Sequence, residues 1–371
     1  MACGCEASLN TGDTVTEPDE TGRPFNQHGG LTLIPMPGFE SLALGVKSRV
    51  EAGSYEFDTA IDVADFEFGY RASGEPYVRL GKEHIAGHDC VVLTSGPGTP
   101  DMLLQLMLIL RYLSGRRASR ITVVSGYFPL GRSDKDEGSL EFALAPLVID
   151  LMMMSTYSTL DRVIAVDLHA PQVVMSGRTG FITEVSLVRR MLKRAVDEAL
   201  ALGQPICLCF PDDTAAKRME SAVAQTSEQL GITFPVAYGA KRRKSSREST
   251  LMGLFGDVEA IDGATVLNLD DEIATGGTNI EGAADLKDRY GAARVWAVVT
   301  HGVLCGPAAD RFAEPSCAVD RVFISDTIPV TNRSELEPLI EAGRLDVTSW
   351  CPDLSWILYH HHWNLSIREL R

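Results

Sequence analysis

The sequence lacks any uninterrupted apolar run of about 18 residues, the length that a membrane-spanning helix needs. The nearest candidate, residues 142–154, is interrupted by Pro146 and Asp150. The opening MACGCEASLN also lacks the basic stretch followed by an apolar stretch that is typical of a secretory signal. We therefore expect neither a membrane span nor secretion, and no membrane partner.

Cysteine pairs at metal-binding spacing are absent as well. The eight cysteines are scattered along the 371 residues, and none forms a C-x-x-C pair. Segments such as PICLCF (205–210) place them within apolar runs, which is typical of reduced core thiols. Such thiols indicate a reducing compartment, so we expect a cytoplasmic protein. The His360-His361-His362 run is predicted to be an exposed or interfacial segment rather than a metal site.

Positive charge is scarce. The chain has 34 Lys and Arg residues against 50 Asp and Glu residues, which gives a formal net charge of −16 at pH 7 with neutral histidines. A surface with this charge repels the phosphates of nucleic acids, so we expect no nucleic-acid partner. If the protein binds small phosphates, it needs metal ions or a local basic cluster.

Short β-branched runs alternate with helix-length segments from residue 31 onward. The runs cover residues 31–36, 90–95, 120–128, 162–169, 205–210, 234–239, 264–271, 294–301 and 321–325. Between them, residues 184–200 carry apolar side chains close to helical spacing. This alternation predicts an α/β protein whose mostly parallel sheets are covered by helices. The number of strands predicts two such domains.

The domain boundaries follow from composition. Residues 1–30 are polar, Gly-rich and aperiodic, which predicts a flexible N-terminal tail. A turn-rich connection, SGRTGFIT, lies near residues 176–183. We therefore predict an N-terminal domain over 31–178 and a C-terminal domain over 179–330. Part of the remaining segment, about 331–371, is expected to pack on the first domain.

The segment VLNLDDEIATGGT (266–278) is the most informative one for function. It predicts a strand, an acidic pair, a tight loop and a following helix. The loop consists of Thr275, Gly276, Gly277 and Thr278. Such a loop at a helix start presents several backbone N–H groups to one anion, and glycine allows a close approach. Asp270 and Asp271 precede it and are suited to bind sugar hydroxyls or hydrated Mg²⁺. The pattern predicts a pentose 5-phosphate site, and the structural alternative is a simple strand-to-helix turn.

This segment resembles the phosphoribosyl-binding loop of type I phosphoribosyltransferase folds. The best-known form of that loop has a third acidic residue directly before Thr275, where this chain has Ala274. Adenine phosphoribosyltransferases also carry alanine there. The departure bears on a catalytic role at position 274 and leaves the phosphate-binding prediction intact.

Further segments resemble those of ribose-phosphate pyrophosphokinases (PRPP synthetases). In chain order they are GYFPLGRSDK (126–135), AVDLHAPQ (165–172), FPDDTAAKR (210–218), AKRRK (240–244), THGVLCGPA (300–308), SDTIPV (325–330) and residues 351–370. Several motifs in one order are more specific than any single motif. The resemblance implies two tandem phosphoribosyltransferase-like, Rossmann-like domains. It also implies transfer of the β,γ-pyrophosphoryl group of MgATP to the 1-hydroxyl of ribose 5-phosphate, which gives PRPP and AMP.

The resemblance implies roles for four residues outside the phosphate loop. His169 and Asp212 would contact the Mg²⁺ that ATP carries. Lys241 and Arg243 would belong to a mobile catalytic lid that neutralises charge on the transferred group. From the residues alone, a strand-end histidine, a helix cap and a solvated basic loop are the structural alternatives.

The ATP site implied by the resemblance comprises Glu75, Arg132, Asp134 and His169. Glu75 lies in a hairpin that, in the family, reaches the adenine site of a neighbouring subunit. Here Arg71 replaces the family's stacking phenylalanine and Ser73 its aspartate. Because such a hairpin completes a neighbour's site, we expect a homo-oligomer built from dimers.

Other departures affect the expected substrate. Ser133 stands where the family has glutamine, and Thr214 and Ala215 replace paired glycines. These changes indicate a divergent member, which leads to the hypothesis that it accepts a larger ribose 5-phosphate, such as one esterified to a nucleotide. Two other functions stay open. One is a phosphoribosyltransferase that uses PRPP and a base. The other is a catalytically silent regulatory partner of an active PRPP synthetase.

Overall fold

The fold consists of two sheets of mostly parallel strands. A computed structural model describes residues 28–53, 55–134, 142–243 and 249–367, and it describes residues 240–243 and 249–252 by their backbone alone. Most of the predicted N-terminal tail, and Lys244 of the basic run, therefore lie outside the described residues. Throughout these ranges, no helix combines the length and apolar character needed to cross a bilayer.

The first half of the chain forms a six-stranded sheet. Its elements are β1 (Leu31–Pro35), α1 (Glu40–Glu51), β2 (Ile61–Val63), β3 (Phe66–Tyr70), β4 (Pro76–Leu80), β5 (Asp89–Thr94), α2 (Pro100–Gly115), β6 (Arg120–Ser125), α3 (Ala145–Ser155), β7 (Leu160–Val166) and β8 (Ile182–Val185). The strand order is β2-β1-β5-β6-β7-β8, and every pair is parallel. Strands β3 and β4 form a separate antiparallel hairpin.

The second half forms a seven-stranded sheet. Its elements are α4 (Val188–Leu200), β9 (Ile206–Phe210), α5 (Asp213–Leu230), β10 (Val236–Arg243), β11 (Ser249–Gly256), β12 (Thr265–Ile273), α6 (Gly277–Tyr290), β13 (Arg294–Gly302), α7 (Ala308–Ala313), β14 (Arg321–Ser325), α8 (Glu337–Glu341), β15 (Leu345–Thr348) and α9 (Cys351–His362). The order is β11-β10-β9-β12-β13-β14-β15. Only the pairing of β10 with β11 is antiparallel.

The hydrophobic pattern explains the architecture. All nine β-branched runs form strands, and β1, β5, β6 and β9 are buried along their whole length. Parallel strands are covered on both faces, so they need continuous rather than alternating apolar sequences. Helix α2 begins where Thr99 caps it and Pro100 occupies its first position. The predicted α/β class with mostly parallel sheets is confirmed.

The change from the first sheet to the second falls between β8 and α4. Strand β8 pairs with β7 from Val163↔Ile182 to Val166↔Val185, so the first sheet extends past residue 178. Helix α9, at the other end of the chain, packs against the first half, where Leu354 and Ile357 are buried with Phe39. The division into domains at 178/179 stays a prediction.

Buried polar contacts join the two halves at the ends of their central strands. Thr300 on β13 donates a hydrogen bond of 2.6 Å to Asp167, which follows β7. The Nε2 atom of His301 lies 3.1 Å from the carbonyl oxygens of both Val166 and Asp167. A Cβ atom added to Gly126 would lie 2.1 Å from the Thr327 oxygen, so only glycine permits this approach. The carboxyl ends of the two sheets are thereby held against each other.

Candidate active site

The loop after β7 and the end of β12 meet between the two halves. Asp167 has a φ of 35°, a left-handed conformation that turns the chain sharply after β7. His169 then reaches the second half, where its Nδ1 atom lies 2.6 Å from Oδ2 of Asp271 on β12. Two residues predicted to serve different substrates are thus in direct contact.

This contact changes the proton affinity of both groups. The hydrogen bond to Asp271 raises the pKa of His169 above its usual value of 6.5, against the opposing effect of burial. Burial alone would raise the pKa of Asp271, but the hydrogen bond with His169 and its charge lower it. The pair therefore favours a carboxylate next to a protonated imidazole. In the described part of the chain, the other ring nitrogen of His169 has no hydrogen-bond partner.

A second acidic contact lies one residue further along β12. Glu272 is buried and accepts a hydrogen bond of 2.7 Å from the hydroxyl of Tyr127. Its other carboxylate oxygen lies 3.1 Å from Arg132, whose side chain is 59% exposed. Burial, followed by the charge of Glu272, raises the pKa of Tyr127. Glu272 therefore holds Arg132 beside the His169–Asp271 pair while the guanidinium group keeps most of its surface accessible.

The predicted phosphate loop begins directly after β12. Gly276 has a φ of 76°, and a Cβ atom there would lie 2.7 Å from the ring of Phe312, so the position requires glycine. Helix α6 starts at Gly277, and its first N–H groups have no partner within the helix. Thr275 and Thr278 are exposed. Arg311 on α7 donates a hydrogen bond of 3.0 Å to the Thr275 carbonyl oxygen and adds positive charge beside the loop.

The end of β9 presents Asp212. Its Oδ1 atom accepts a hydrogen bond of 2.9 Å from the N–H of Ala215, so it caps α5. Arg218, one turn further along α5, donates a hydrogen bond of 2.6 Å to the carbonyl oxygen of Leu168. It also lies 3.9 Å from Glu184, a carboxyl whose pKa burial raises. Arg218 therefore ties the helix that begins after Asp212 to the loop that carries His169.

The remaining predicted residues have different surroundings. The carboxylate of Asp134 accepts a hydrogen bond from Gln172, three residues after His169. Glu75 is exposed at the tip of the β3–β4 hairpin, where the Ser73 hydroxyl donates to it at 3.0 Å. Lys241 and Arg243 lie on β10, and their side chains are outside the description. The structure thus brings together the groups after β6, β7 and β12 and leaves the hairpin tip apart.

Three side chains were missed by sequence reasoning. Glu272 directly follows the Asp pair, Arg218 ends the FPDDTAAKR segment, and Arg311 lies just after THGVLCGPA. A signal existed for the first two, since both are charged residues within motifs already identified. Arg311 has no such signal, because only the packing of α7 against the loop places it there.

A cavity of about 430 Å³ opens beside the contact between the halves. Its lining includes Asp271, Arg218 and Glu184, with Met219 and Val174 as apolar neighbours. Among the described residues, no three His, Cys, Asp or Glu side chains are grouped so that they could hold a metal ion by themselves. The carboxylate oxygens of Asp271 and Glu184 in this lining are hard ligands of the kind that Mg²⁺ binds.

Comparison with known proteins identifies the family. Residues 40–155 match the family model described as the N-terminal domain of ribose phosphate pyrophosphokinase. The ribose-phosphate pyrophosphokinase of Rhodopirellula baltica is 32% identical over 316 residues, which cover 83% of this chain and 90% of that protein. The corresponding enzyme of Caldanaerobacter subterraneus is 28% identical over 311 residues, 84% of this chain and 90% of that protein.

A solved structure agrees with the sequence matches. The phosphoribosylpyrophosphate synthetase of Mycobacterium smegmatis superposes with a TM-score of 0.71 and 27% identity, over 91% of this chain and 100% of that one. The predicted resemblance and the predicted fold class are confirmed. The chain belongs to the ribose-phosphate pyrophosphokinase family.

Proposed function

We propose that this chain transfers the β,γ-pyrophosphoryl group of MgATP to the 1-hydroxyl of a ribose 5-phosphate and releases AMP. The observation that carries the proposal is the 2.6 Å contact between His169 and Asp271. This contact joins the loop after β7, which is assigned to the donor ATP, to strand β12, which is assigned to the acceptor ribose 5-phosphate. Transfer between two bound substrates requires their sites to be adjacent, because most of the rate gain comes from holding the reacting atoms together.

The acceptor side is formed by the phosphate loop and the acidic pair. The backbone N–H groups of Gly277 and Thr278 and the hydroxyl of Thr275 are available to the 5-phosphate at the start of α6. The positive end of the α6 dipole favours the same anion. Asp270 and Asp271 lie on β12, which leads into the loop, and would accept hydrogen bonds from the ribose hydroxyls.

The donor side comprises His169, Asp212, Arg132 and Asp134. Asp212 uses one carboxylate oxygen as a helix cap, and its other oxygen has no partner in the ranges that the structure covers. That oxygen, and the second ring nitrogen of His169 when the imidazole is neutral, would suit a Mg²⁺ ion that keeps several waters. When bound, Mg²⁺ would neutralise charge on the triphosphate.

The reaction forms one bond and breaks one. The 1-hydroxyl oxygen attacks the β-phosphorus of ATP, and the bond from that phosphorus to the α,β-bridging oxygen breaks. AMP leaves with the bridging oxygen, the pyrophosphoryl group remains on the sugar, and the hydroxyl proton is released. We infer that Arg132 stabilises charge on the transferred group, which is the role that the resemblance implies for Lys241 and Arg243.

The hairpin tip favours an oligomer. Glu75 and Arg71 are exposed, and the tip's backbone bond from Arg71 to the Glu75 oxygen is internal to the turn. A hairpin that completes the adenine site of a neighbouring subunit would have such an exposed tip in a single chain. The proposal therefore includes a homo-oligomer built from dimers, located in the cytoplasm, with ATP and a ribose 5-phosphate as its small-molecule partners and with neither nucleic acid nor membrane.

Chromatography of nucleotides tests the proposal and its alternatives. The protein with MgATP and ribose 5-phosphate should produce AMP, and chelation of Mg²⁺ should abolish it. Lys241→Ala and Asp271→Asn should both lower the rate strongly. Consumption of PRPP and a base without AMP from ATP would indicate a phosphoribosyltransferase instead. An inactive protein that changes the rate of an active PRPP synthetase would indicate a regulatory partner.

A further inference from the structure

A groove runs along helix α6 from the phosphate loop. Its cavity volume is about 320 Å³, and its walls include Asp270 and Thr278 at one end and Leu286 and Tyr290 at the other. The twelve steps along the helix from Thr278 to Tyr290 correspond to about 18 Å. The groove therefore begins where the 5-phosphate is proposed to bind and continues well beyond the length of a pentose phosphate.

The lining of this α6 groove indicates what it can bind. Apolar surface comes from Phe210, Leu254 and Leu286, and amide groups come from Asn268 and Asn279. The carboxylates of Glu281 and Asp285 also line it, whereas the described lining residues include no Lys, Arg or His. A further anion would be repelled inside the groove and is favoured only at its mouth, beside the positive end of the α6 dipole. A flat, uncharged group with hydrogen-bond donors fits, because apolar and amide surface can contact its ring and edge together.

We propose that the α6 groove is a subsite for a nucleoside-like substituent on the 5-phosphate of the acceptor sugar. The inference rests on the proposed function, since it uses the same phosphate loop and the same transfer to the 1-hydroxyl. A 5-phosphate that carries one substituent still has two non-bridging oxygens for the backbone N–H groups of the loop. The substituent then leaves the start of α6 and lies along the helix.

Two features keep the groove open. Gly282 lies in the middle of its helical wall, and a Cβ atom there would meet no other atom within 4 Å. Gly239 on β10, which has no side chain, also lines the groove. Glycine in a helix interior lowers the stability of the helix relative to alanine, although the space beside Gly282 would accommodate a methyl group. A ligand that occupies this space would account for glycine at this position.

The test uses ADP-ribose, a ribose 5-phosphate whose phosphate carries an adenylyl group and whose 1-hydroxyl is free. The protein is incubated with MgATP labelled on its α-phosphate and either ribose 5-phosphate or ADP-ribose. Labelled AMP then reports transfer and excludes breakdown of ADP-ribose. We expect kcat/KM to be at least tenfold higher with ADP-ribose. A preference for ribose 5-phosphate would overturn the inference and leave the proposed function standing, whereas no labelled AMP from either sugar would overturn both.

A groove-filling variant supplies the structural control. Gly282→Leu should lower the ratio of kcat/KM for ADP-ribose to that for ribose 5-phosphate at least tenfold, and leucine favours the helix. Asp288→Leu places the same side chain at an exposed position of α6 outside the groove and should leave the ratio unchanged. An unchanged ratio in Gly282→Leu, with the protein folded by circular dichroism, would contradict a subsite in the groove.

Discussion

Two clusters of charged side chains lie at opposite ends of the first sheet, and they differ in what they leave accessible. At the amino ends of β5 and β6, Asp89 and Arg120 are buried and paired with each other. At the carboxyl ends, Arg132 and His169 pair with acidic groups of β12 but remain 59% and 37% exposed. The first cluster uses its charges to hold the protein together, while the second keeps part of its surface for substrates.

The cluster of Asp89 and Arg120 at the amino ends of β5 and β6 is covered by the end of α9, and we call it the closed cluster. His362 lies 2.9 Å from Asp89, and Arg120 donates a hydrogen bond of 2.8 Å to the carbonyl oxygen of His361. Arg120 also donates to Asn364 at 2.8 Å. Each hydrogen bond crosses from the first sheet to the C-terminal segment, so this cluster fastens the end of the chain to the first half.

The largest effect is expected from removing the acidic partner in that closed cluster. Asp89→Ala leaves the buried Arg120 without its counter-charge, which should lower the free energy of unfolding by about 3–5 kcal/mol. Urea denaturation measures this change. Asp197→Ala, which removes an exposed ion pair with Lys193, is the control and should change stability by about 0–1 kcal/mol. Equal effects of the two variants would contradict the structural role of Asp89.

We call the cluster at the carboxyl ends, which contains Arg132 and His169, the open cluster. Substitutions there should lower the enzymatic activity more than the stability. Asp271→Asn removes the charge that faces His169 and the proposed ribose contact, so kcat/KM should fall on the order of 100-fold. The same change should lower the pKa of His169, since the bond to Asp271 is what raises it. Steady-state kinetics and NMR titration of His169 measure the two effects. A variant with full activity and an unchanged histidine titration would show that the pair has no part in the reaction.

The pH dependence of stability should come from the closed cluster. Burial, followed by the charge of Arg120, lowers the pKa of His361 from 6.5 to about 3. The unfolded chain binds a proton below pH 6.5 while the folded chain does not, so stability falls as the pH drops from 6.5 towards 3. Between pH 7 and pH 5 this one group contributes a loss of about 2 kcal/mol.

Substitution of His361 isolates that contribution. His361→Gln should remove the part of the pH slope that this histidine causes, measured by urea denaturation at pH 7 and pH 5. The wild-type protein, measured at the same two pH values, is the reference. An identical slope in wild type and His361→Gln would contradict a neutral, buried His361.

The smallest expected effect separates the two tasks of Asp212. As a helix cap it is replaceable by asparagine, so Asp212→Asn should change the free energy of unfolding by only a few tenths of a kcal/mol, and Asp212→Ala should lower it by about 1 kcal/mol. As a proposed Mg²⁺ ligand it is not replaceable, so both variants should raise the Mg²⁺ concentration needed for AMP formation. Normal Mg²⁺ dependence in Asp212→Asn would restrict this residue to capping.

The sequence predicted the central strands better than the edges of the sheets. All nine β-branched runs became strands because buried parallel strands need continuous apolar sequences. The turn-rich connection predicted over residues 176–183 contains the first two residues of the four-residue strand β8, and the helical pattern over 184–200 contains its last two. Short edge strands depend on pairing partners that are distant in sequence, so local patterns do not reveal them.

The site was predictable where one motif contains the chemistry and not where distant segments meet. The phosphate loop and Asp271 were found because strand, acids, glycines and helix are contiguous. The contact of His169 with Asp271 spans 102 residues and depends on how the halves pack. The same holds for His361, which was expected in an exposed or interfacial segment and is buried against Thr122 of β6.

In the proposed function, the open cluster joins a donor site and an acceptor site for one transfer. Phosphorus NMR of the protein with MgATP and a ribose 5-phosphate acceptor tests this most directly. We predict AMP and a new pyrophosphoryl group on carbon 1 of the sugar, formed in equal amounts. Formation of ADP with a singly phosphorylated carbon 1, or release of inorganic phosphate without any sugar product, would contradict it.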